Sequence, residues 1–156
     1  MPCALKISEA SSLAMHALGY LAYREDGPTT TREIAARFEM SEAHLSKVLQ
    51  RLVRVDLLRS VRGPKGGFVL TRSAQSVSLL EVYEAIEGPL VPAQCLLSAA
   101  ICDGDTCILG KIVVEANEMV RARLEQTSLQ QVGAVVRAGG DPSNSLAIEE
   151  ARKAGR

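Results

Sequence analysis

The sequence predicts a mainly α-helical fold with one small β-hairpin, and three observations support this fold class. Apolar residues recur with helical spacing in several segments, the longest of which runs from Leu109 to Leu124. A short amphipathic helix is expected after Ser41, and two strand-like runs joined by a glycine-rich turn follow it directly. The 156 residues suffice for one domain with a buried core and an appended helix.

The helix after Ser41 has one apolar face and one basic face. Its apolar residues are spaced i, i+3, i+4 and i+7, and Ser41 stands just ahead of them as a natural N-cap. The opposite face carries small, polar or cationic side chains and no acid after Glu42, so it can approach phosphates and base edges. The apolar positions are Leu45, Val48, Leu49 and Leu52, and the outer positions are Ala43, His44, Ser46, Lys47, Gln50, Arg51 and Arg54.

A β-hairpin is predicted immediately after this helix. Strand-like runs at 57–61 and 68–70 flank a turn that contains Gly63, Pro64, Gly66 and Gly67, and Arg62 and Lys65 fall at its tip. A charged helix face or a glycine-rich turn alone is common in proteins that bind no nucleic acid. A helix, a short connection and a basic hairpin, called the wing below, form a more specific combination in this order. This combination predicts DNA binding.

An upstream helix completes a helix-turn-helix. Thr30 and Glu33 have capping-box spacing, and the helix that they open ends near Met40, just before the second helix. In this motif the second helix enters the major groove, and its N-terminal side chains meet base edges. We expect base contacts from Ser41, Ala43, His44 and Lys47, a backbone contact from Arg51, minor-groove insertion of Arg62, and a further contact from Lys65.

Two more helices frame this motif. The first follows Ser8 and ends at the turn formed by Asp26, Gly27 and Pro28. The second begins at Ser78, where Glu81 repeats the capping-box spacing, and ends at Gly88.

The charge distribution and the aromatic content of the chain indicate which kind of nucleic acid it binds. The formal net charge is zero, yet residues 1–80 hold 11 Lys and Arg against 7 Asp and Glu, and the remainder holds 7 against 11. The half that contains the hairpin is therefore basic, as a nucleic-acid-binding surface requires. Aromatic residues make up 3% of the chain and Trp is absent, which disfavours stacking on single-stranded bases. Duplex DNA is the expected partner.

Enzymatic and membrane functions find no support in the sequence. The two histidines lie far apart, and neither a nucleophile elbow nor a phosphate-cradling loop is present, so we expect no catalytic site. No apolar run of about eighteen residues could span a bilayer, and the N-terminus lacks a signal-peptide pattern. We therefore expect a cytoplasmic protein, whose cysteines serve metal binding, redox chemistry or packing rather than structural disulfides.

Three cysteines suggest a second functional element. Cys95, Cys102 and Cys107 fall within 13 residues, and Cys107 immediately precedes the long helix, whose N-terminal dipole favours a thiolate. Thiolates are the soft ligands of iron-sulfur clusters and of zinc. Because the C-x6-C-x4-C spacing is no standard zinc ribbon, the residues alone leave both metal binding and plain packing open.

At these residues the chain resembles the Rrf-two family of winged helix-turn-helix transcriptional regulators, which includes IscR-like, NsrR-like and CymR-like members. The resemblance covers about Leu5 to Val132. The chain departs from the family pattern at His44 and Phe68, where tyrosines are common, and at Asp56, where glycine is common. The matching motifs are Lys6-Ile7-Ser8, Ser41 with Leu45, Lys47 and Leu49, Val61-Arg62-Gly63, Gly66-Gly67-Phe68-Val69-Leu70, and Leu79-Leu80-Glu81-Val82 with the cysteines.

The resemblance implies a cofactor, because sensor members of the family hold a [2Fe-2S] or [4Fe-4S] cluster on three cysteines that correspond to Cys95, Cys102 and Cys107. IscR-like members add a histidine three residues after the last cysteine, where this chain has Gly110. NsrR-like members recruit an acid from the partner subunit's first helix. The candidates for a fourth ligand here are Glu9, Ser12, Asp103 and Asp105.

The resemblance also implies a homodimer that pairs its long helices and binds a palindromic operator. The function predicted is a transcriptional repressor whose DNA affinity depends on an iron-sulfur cluster that responds to nitric oxide, redox state or iron-sulfur status. Two alternatives stay open: a cluster-free regulator controlled by a partner protein or by thiol oxidation, and a metal-binding protein-interaction module without DNA binding. The expected division is a DNA-binding domain at 1–90, a cysteine-bearing loop at 91–108, a dimerisation helix and return at 109–132, and a flexible tail at 133–156.

Overall fold

The computed structural model describes residues 7–24, 27–64, 66–91 and 107–138. Within these ranges the chain forms helices and a two-stranded antiparallel hairpin, so the predicted fold class is confirmed. The elements are α1 (Glu9–Tyr23), α2 (Thr31–Phe38), α3 (Glu42–Arg54), β1 (Leu58–Val61), β2 (Gly67–Leu70), a short 3₁₀ turn (Ala74–Ser76), α4 (Leu79–Glu87), α5 (Ile108–Gln126) and α6 (Leu129–Ala138).

Helix α1 lies at the centre of the core. Ala14, Ala17 and Leu18 on this helix are completely buried, and the small alanines let α3, α4 and α6 pack close to it. The apolar face predicted for α3 is confirmed, since all four of its residues are buried in the same cluster. Helix α3 is therefore fixed to the core along its whole inner side.

Helix α6 crosses α1 at two glycines. A Cβ atom added at Gly19 would lie 2.5 Å from Cγ1 of Val132, and one added at Gly133 would lie 3.1 Å from the Gly19 carbonyl oxygen. Val136 packs against the core one turn later, so α6 continues to Ala138. This helix occupies residues 133–138 of the segment expected as a flexible tail, because that part of the chain has an apolar face to bury.

Most of the helix starts expected from the sequence are present with their caps. Thr30 and Glu33 form a complete capping box, and the backbone and hydroxyl hydrogen bonds from Thr30 hold the pKa of the Glu33 carboxyl below its ordinary value. Ser78 caps α4 through the Glu81 backbone N–H, but the Glu81 carboxylate pairs with Arg72 instead of returning to the cap. The second capping box is thus only half formed.

The hairpin is fastened to the helical core by a third piece of backbone. β1 and β2 pair from Leu58 with Leu70 to Val61 with Gly67, and the Gly66 N–H closes the turn on the Gly63 carbonyl at 2.9 Å. On its other edge, Phe68 donates to and accepts from the backbone of Thr29, with N–O distances of 2.9 and 3.1 Å. The wing is therefore joined to the residue that precedes the α2 cap.

The residue between α3 and β1 explains one departure from the family pattern. Asp56 has a φ of 58°, which is left-handed backbone where glycine is favoured. Aspartate tolerates this conformation better than most residues because its short polar side chain can bond locally. The turn into the wing is kept without the usual glycine.

Several expectations concern residues that the structure does not describe. Cys95, Cys102, Asp103, Asp105 and Lys65 lie outside the described ranges, as does the tail beyond Ala138. In the part of the chain that is described, no helix has the length and apolarity that a membrane span needs.

The contact between Gly67 and Thr29 predicts a position where only glycine fits. A Cβ at Gly67 would lie 2.5 Å from the Thr29 carbonyl oxygen, whereas one at Gly63, with a φ of 126°, would meet nothing within 4 Å. We expect Gly63→Ala to lower the free energy of unfolding by about 1 kcal/mol through backbone strain alone. Gly67→Ala should lower it by about 3 kcal/mol because the wing must also shift. Urea denaturation of both variants measures this difference, and equal losses would contradict it.

Candidate nucleic-acid interface and cysteine site

The turn between α2 and α3 sets how the second helix is presented. Glu39 ends α2 in a left-handed conformation with a φ of 54°, and the Met40 N–H bonds back to the Ala35 carbonyl at 2.9 Å. Ser41 then caps α3 by accepting the His44 backbone N–H at 3.4 Å. The chain changes direction within three residues, which is the geometry of a helix-turn-helix.

The residues expected to contact DNA are exposed along α3 and at the wing. Ser41, Ala43, Lys47 and Arg51 are exposed, and His44 is half-buried. At the wing, Arg62, Gly63 and Pro64 are exposed. The structure thus leaves these side chains accessible to a large ligand, and α3 keeps the cationic outer face that its sequence predicts.

His44 has an acidic neighbour that sequence spacing did not indicate. Its ring nitrogen Nδ1 lies 3.4 Å from Oε1 of Glu9, in the first turn of α1. When Nδ1 donates to this carboxylate, Nε2 is the ring atom that remains available to another group. The pair also ties the start of α1 to the start of α3.

Arg51 is exposed, yet its guanidinium makes a hydrogen bond to another helix of the same chain. Its Nη2 atom donates to the backbone carbonyl of Ile86, in the last turn of α4, at 2.6 Å. That carbonyl is one of those that a helix end leaves without an intrahelical partner, and a charged donor satisfies it well. The cation predicted to contact the DNA backbone therefore has a structural contact that local sequence patterns could not show.

Cys107 lies at the N-terminus of the long helix, as its sequence position predicts. It is the N-cap of α5, it is half-buried, and its Sγ accepts the Gly110 backbone N–H at 3.3 Å. Helix N-terminal N–H groups stabilise a thiolate, which is the form that ligates iron or zinc. The environment of Cys107 fits one thiolate ligand of a metal centre.

The candidate fourth ligands that are described have other neighbours. Glu9 pairs with His44, and the Ser12 backbone carbonyl accepts a hydrogen bond from His16 Nδ1 at 2.7 Å. Gly110, which stands where IscR-like members have histidine, is buried and contributes only backbone. Within the described ranges, no three His, Cys, Asp or Glu side chains come together as a metal site.

The two ends of the undescribed cysteine segment are firmly held. Before it, the Leu90 N–H donates to the Glu84 carboxylate at 3.1 Å, and Arg121 on α5 bonds both Glu84 and the Leu90 carbonyl at 3.2 and 3.1 Å. Leu90 itself is buried in a small cluster with Leu80 and Tyr83. After the segment, Cys107 accepts its capping bond from Gly110, so the described residues on both sides are bonded to helices.

Comparison with known proteins identifies the family. A family model for Rrf2, described as an iron-dependent transcriptional regulator, matches residues 7–134. YwgB of Bacillus subtilis, named as an HTH-type transcriptional regulator, is 30% identical over 105 residues, which cover 66% of this chain and 67% of YwgB. The HTH-type transcriptional regulator IscR of Xenorhabdus nematophila is 27% identical over 110 residues, covering 70% of this chain and 67% of IscR.

Solved structures share the fold. CymR, the global cysteine regulator of B. subtilis, gives a TM-score of 0.73 at 24% identity and covers 84% of this chain and 98% of CymR. IscR of T. potens gives a TM-score of 0.66 at 23% identity and covers 81% of this chain and 85% of IscR. The family is one of transcriptional regulators rather than enzymes, so an interaction module without DNA binding is no longer a suitable description. The chain belongs to the Rrf2 family and is a DNA-binding transcriptional regulator.

Proposed function

We propose that this regulator is a repressor whose affinity for a palindromic operator depends on an iron-sulfur cluster held by Cys95, Cys102 and Cys107. The observation that carries this proposal is Cys107, whose thiol is placed on the first N–H groups of α5, the helix with an exposed apolar face. Two comparisons support the proposal: the family is described as iron-dependent, and the chain is 27% identical to IscR of Xenorhabdus nematophila. The signal would be nitric oxide, redox state or iron-sulfur status.

The proposed DNA contacts follow from the exposed side of α3. Ser41, Ala43, His44 and Lys47 lie on its first turns, which enter the major groove in helix-turn-helix proteins. Arg62 is exposed at the wing, where a guanidinium suits the negative potential of a narrow minor groove. Lys65, three residues later in the sequence, would add positive charge near the phosphates.

Lys47→Ala should weaken binding to all duplex sequences, because we expect its ammonium group to neutralise one phosphate. The slope of log K against log salt concentration should become shallower by about 0.9. Fluorescence anisotropy with a labelled duplex at several salt concentrations measures this slope. Lys111→Ala removes an exposed cation from α5 and serves as the matched control, whose slope should equal that of the wild type. An unchanged slope for Lys47→Ala would contradict its assignment.

The ligand set of the proposed cluster combines the three cysteines with one weaker donor. When bound, such a cluster supplies a centre that reacts with nitric oxide and oxidants. The three thiolates would hold it, and an oxygen from Glu9, Ser12, Asp103 or Asp105 would complete the set. Since Glu9 also pairs with His44 on α3, this acid would connect the ligand set with the DNA-contacting helix.

Protein purified without oxygen should be brown and contain iron and sulfide. Replacing Cys95, Cys102 and Cys107 together by Ala should abolish both the colour and the bound iron, because thiolates provide most of the ligation. Cys3→Ala, which removes a cysteine outside this set, is the control and should retain them. Visible absorption and iron and sulfide analysis give the result, and iron retained by the triple variant would contradict the ligand assignment.

A second candidate is a cluster-free regulator controlled by a partner protein or by thiol oxidation. The structural likeness to CymR favours this alternative, because one of the similar solved structures is the oxidised form of CymR from Staphylococcus aureus. Cys107 is also partly exposed at a helix N-terminus, where a thiolate reacts readily. Colourless, iron-free protein whose DNA binding changes with a thiol oxidant would select the second candidate over the first.

The exposed face of α5 supports a homodimer. Ile108, Ile112 and Met119 lie on one side of this helix and are 74%, 55% and 68% exposed. The core around α1 is covered by α6 instead, so the apolar side of α5 has no cover within the described part of one subunit. Pairing with the same helix of a second copy would bury it and place two α3 helices on one duplex.

Ile112→Glu should therefore shift the protein toward monomers. A carboxylate buried against a partner helix should raise the dimer dissociation constant on the order of 100-fold, which corresponds to about 2.8 kcal/mol. Sedimentation equilibrium measures this constant. Lys111→Glu, at an exposed neighbouring position outside the apolar side, is the control and should remain dimeric. Equal dissociation constants for Ile112→Glu and the wild type would contradict dimerisation through this face.

A further inference from the structure

The last turn of α4 makes two contacts that together hold the recognition helix. The first is the 2.6 Å bond from Arg51 of α3 to the Ile86 carbonyl. Arg51 is on the outer side of α3, so its guanidinium extends along the helix surface to reach the end of α4. A charged hydrogen bond of this kind stabilises one relative placement of two helices more than a neutral bond would.

The second contact starts from the next residue of α4. The Glu87 carboxylate accepts the Ser8 backbone N–H at 3.3 Å and also accepts the hydroxyls of Ser8 and Ser11. Ser11 is completely buried, so the Glu87 carboxylate supplies the hydrogen-bond partner that its hydroxyl needs. These bonds fix the first turn of α1 to the end of α4.

The first turn of α1 in turn reaches the start of α3. Glu9 follows the Ser8 cap and pairs with His44 at 3.4 Å. The end of α4 is therefore connected with α3 at two points, directly at Arg51 and through α1 at His44. These two residues are separated by about 10 Å along the helix axis, so the two contacts restrain its direction in addition to the packing of its buried face.

We propose that Arg51 is a positioning residue for DNA recognition: its bond to the Ile86 carbonyl sets the angle at which α3 enters the major groove. This role rests on the proposed function, in which the first turns of α3 contact bases. It replaces the phosphate contact that the sequence predicts for Arg51. A small rotation of α3 would displace Ala43, His44 and Lys47 from the base edges while leaving the total positive charge of the interface nearly unchanged.

Three possible roles of Arg51 give different results in one experiment. The full chain and its Arg51→Ala variant are titrated, over a range of salt concentrations, with a duplex enriched by the wild type from a random library. The same titration is made with a random-sequence duplex of equal length. Active protein is counted first by stoichiometric binding, so that a loss of folded protein does not change the measured constants.

Positioning predicts that Arg51→Ala lowers the ratio of selected to random-duplex affinity about tenfold, while the salt slope on the random duplex stays that of the wild type. A phosphate contact predicts equal losses on both duplexes and a slope shallower by about 0.9. That result would overturn the proposal. An unchanged ratio and slope, with only less active protein, would mean a purely structural role and would also overturn it.

Two further variants keep the test decisive if Arg51→Ala folds poorly. Glu87→Gln removes no charge from α3, yet it weakens the anchoring of α1 and should lower the affinity ratio without changing the slope. Arg51→Lys retains a donor for the Ile86 carbonyl and should recover part of the ratio that Arg51→Ala loses. Unaltered ratios for both Glu87→Gln and Arg51→Ala would contradict the proposal. Failure of the wild type to enrich any duplex would instead contradict the proposed function.

Discussion

The burial of α1 is the constraint on which the other elements depend. Its alanines and Gly19 have no bulky side chains, so α3, α4 and α6 approach it closely from different sides. The inner face of α3 packs into the same cluster through Leu45 and Leu49, both completely buried. A change in the packing of α1 therefore changes the position of the helix proposed to contact bases, and stability and DNA recognition share one core.

Local features of the fold could be predicted because their causes lie within a few residues. The capping box of Thr30 and Glu33, the cap at Ser41 and the buried face of α3 each follow from spacings of three or four residues. The hairpin could be predicted for the same reason, from glycines between two short apolar runs. These patterns fix an element's type and its inner side, but they do not fix its neighbours.

The contacts that join the elements could not be predicted in this way. Ser8 and Glu87 are 79 residues apart in sequence, and Arg51 and Ile86 are 35 apart, so no periodicity connects them. Gly19 is a further example, because glycine inside a helical pattern ordinarily signals a weaker helix. Here it gives space for Val132 of α6, a reason that appears only when the two helices are seen together.

The candidate site shows the same division. The positive charge on the outer side of α3 could be assigned from sequence. The partner of each cation could not, since an arginine can bond a carbonyl of its own chain instead of a phosphate. The spacing of the cysteines left metal binding and packing open, and only the family resemblance implied a ligand set; the structure places Cys107 at a helix N-terminus. The fourth donor could not be assigned from spacing, because its candidates lie both beside the cysteines, at Asp103 and Asp105, and in the distant first helix, at Glu9 and Ser12.

The backbone pairing of Thr29 with Phe68 has a consequence for exchanging parts between relatives. Since the sheet of the wing includes a residue from before α2, the wing is not a self-contained module. A chimera that transplants residues 58–70 alone would place Gly67 against a different backbone from that of Thr29, which it contacts here. A graft that preserves the backbone pairing of Thr29 with Phe68 has to include the loop around Thr29 as well. Chimeras made to exchange DNA preference between relatives should therefore transfer both segments together.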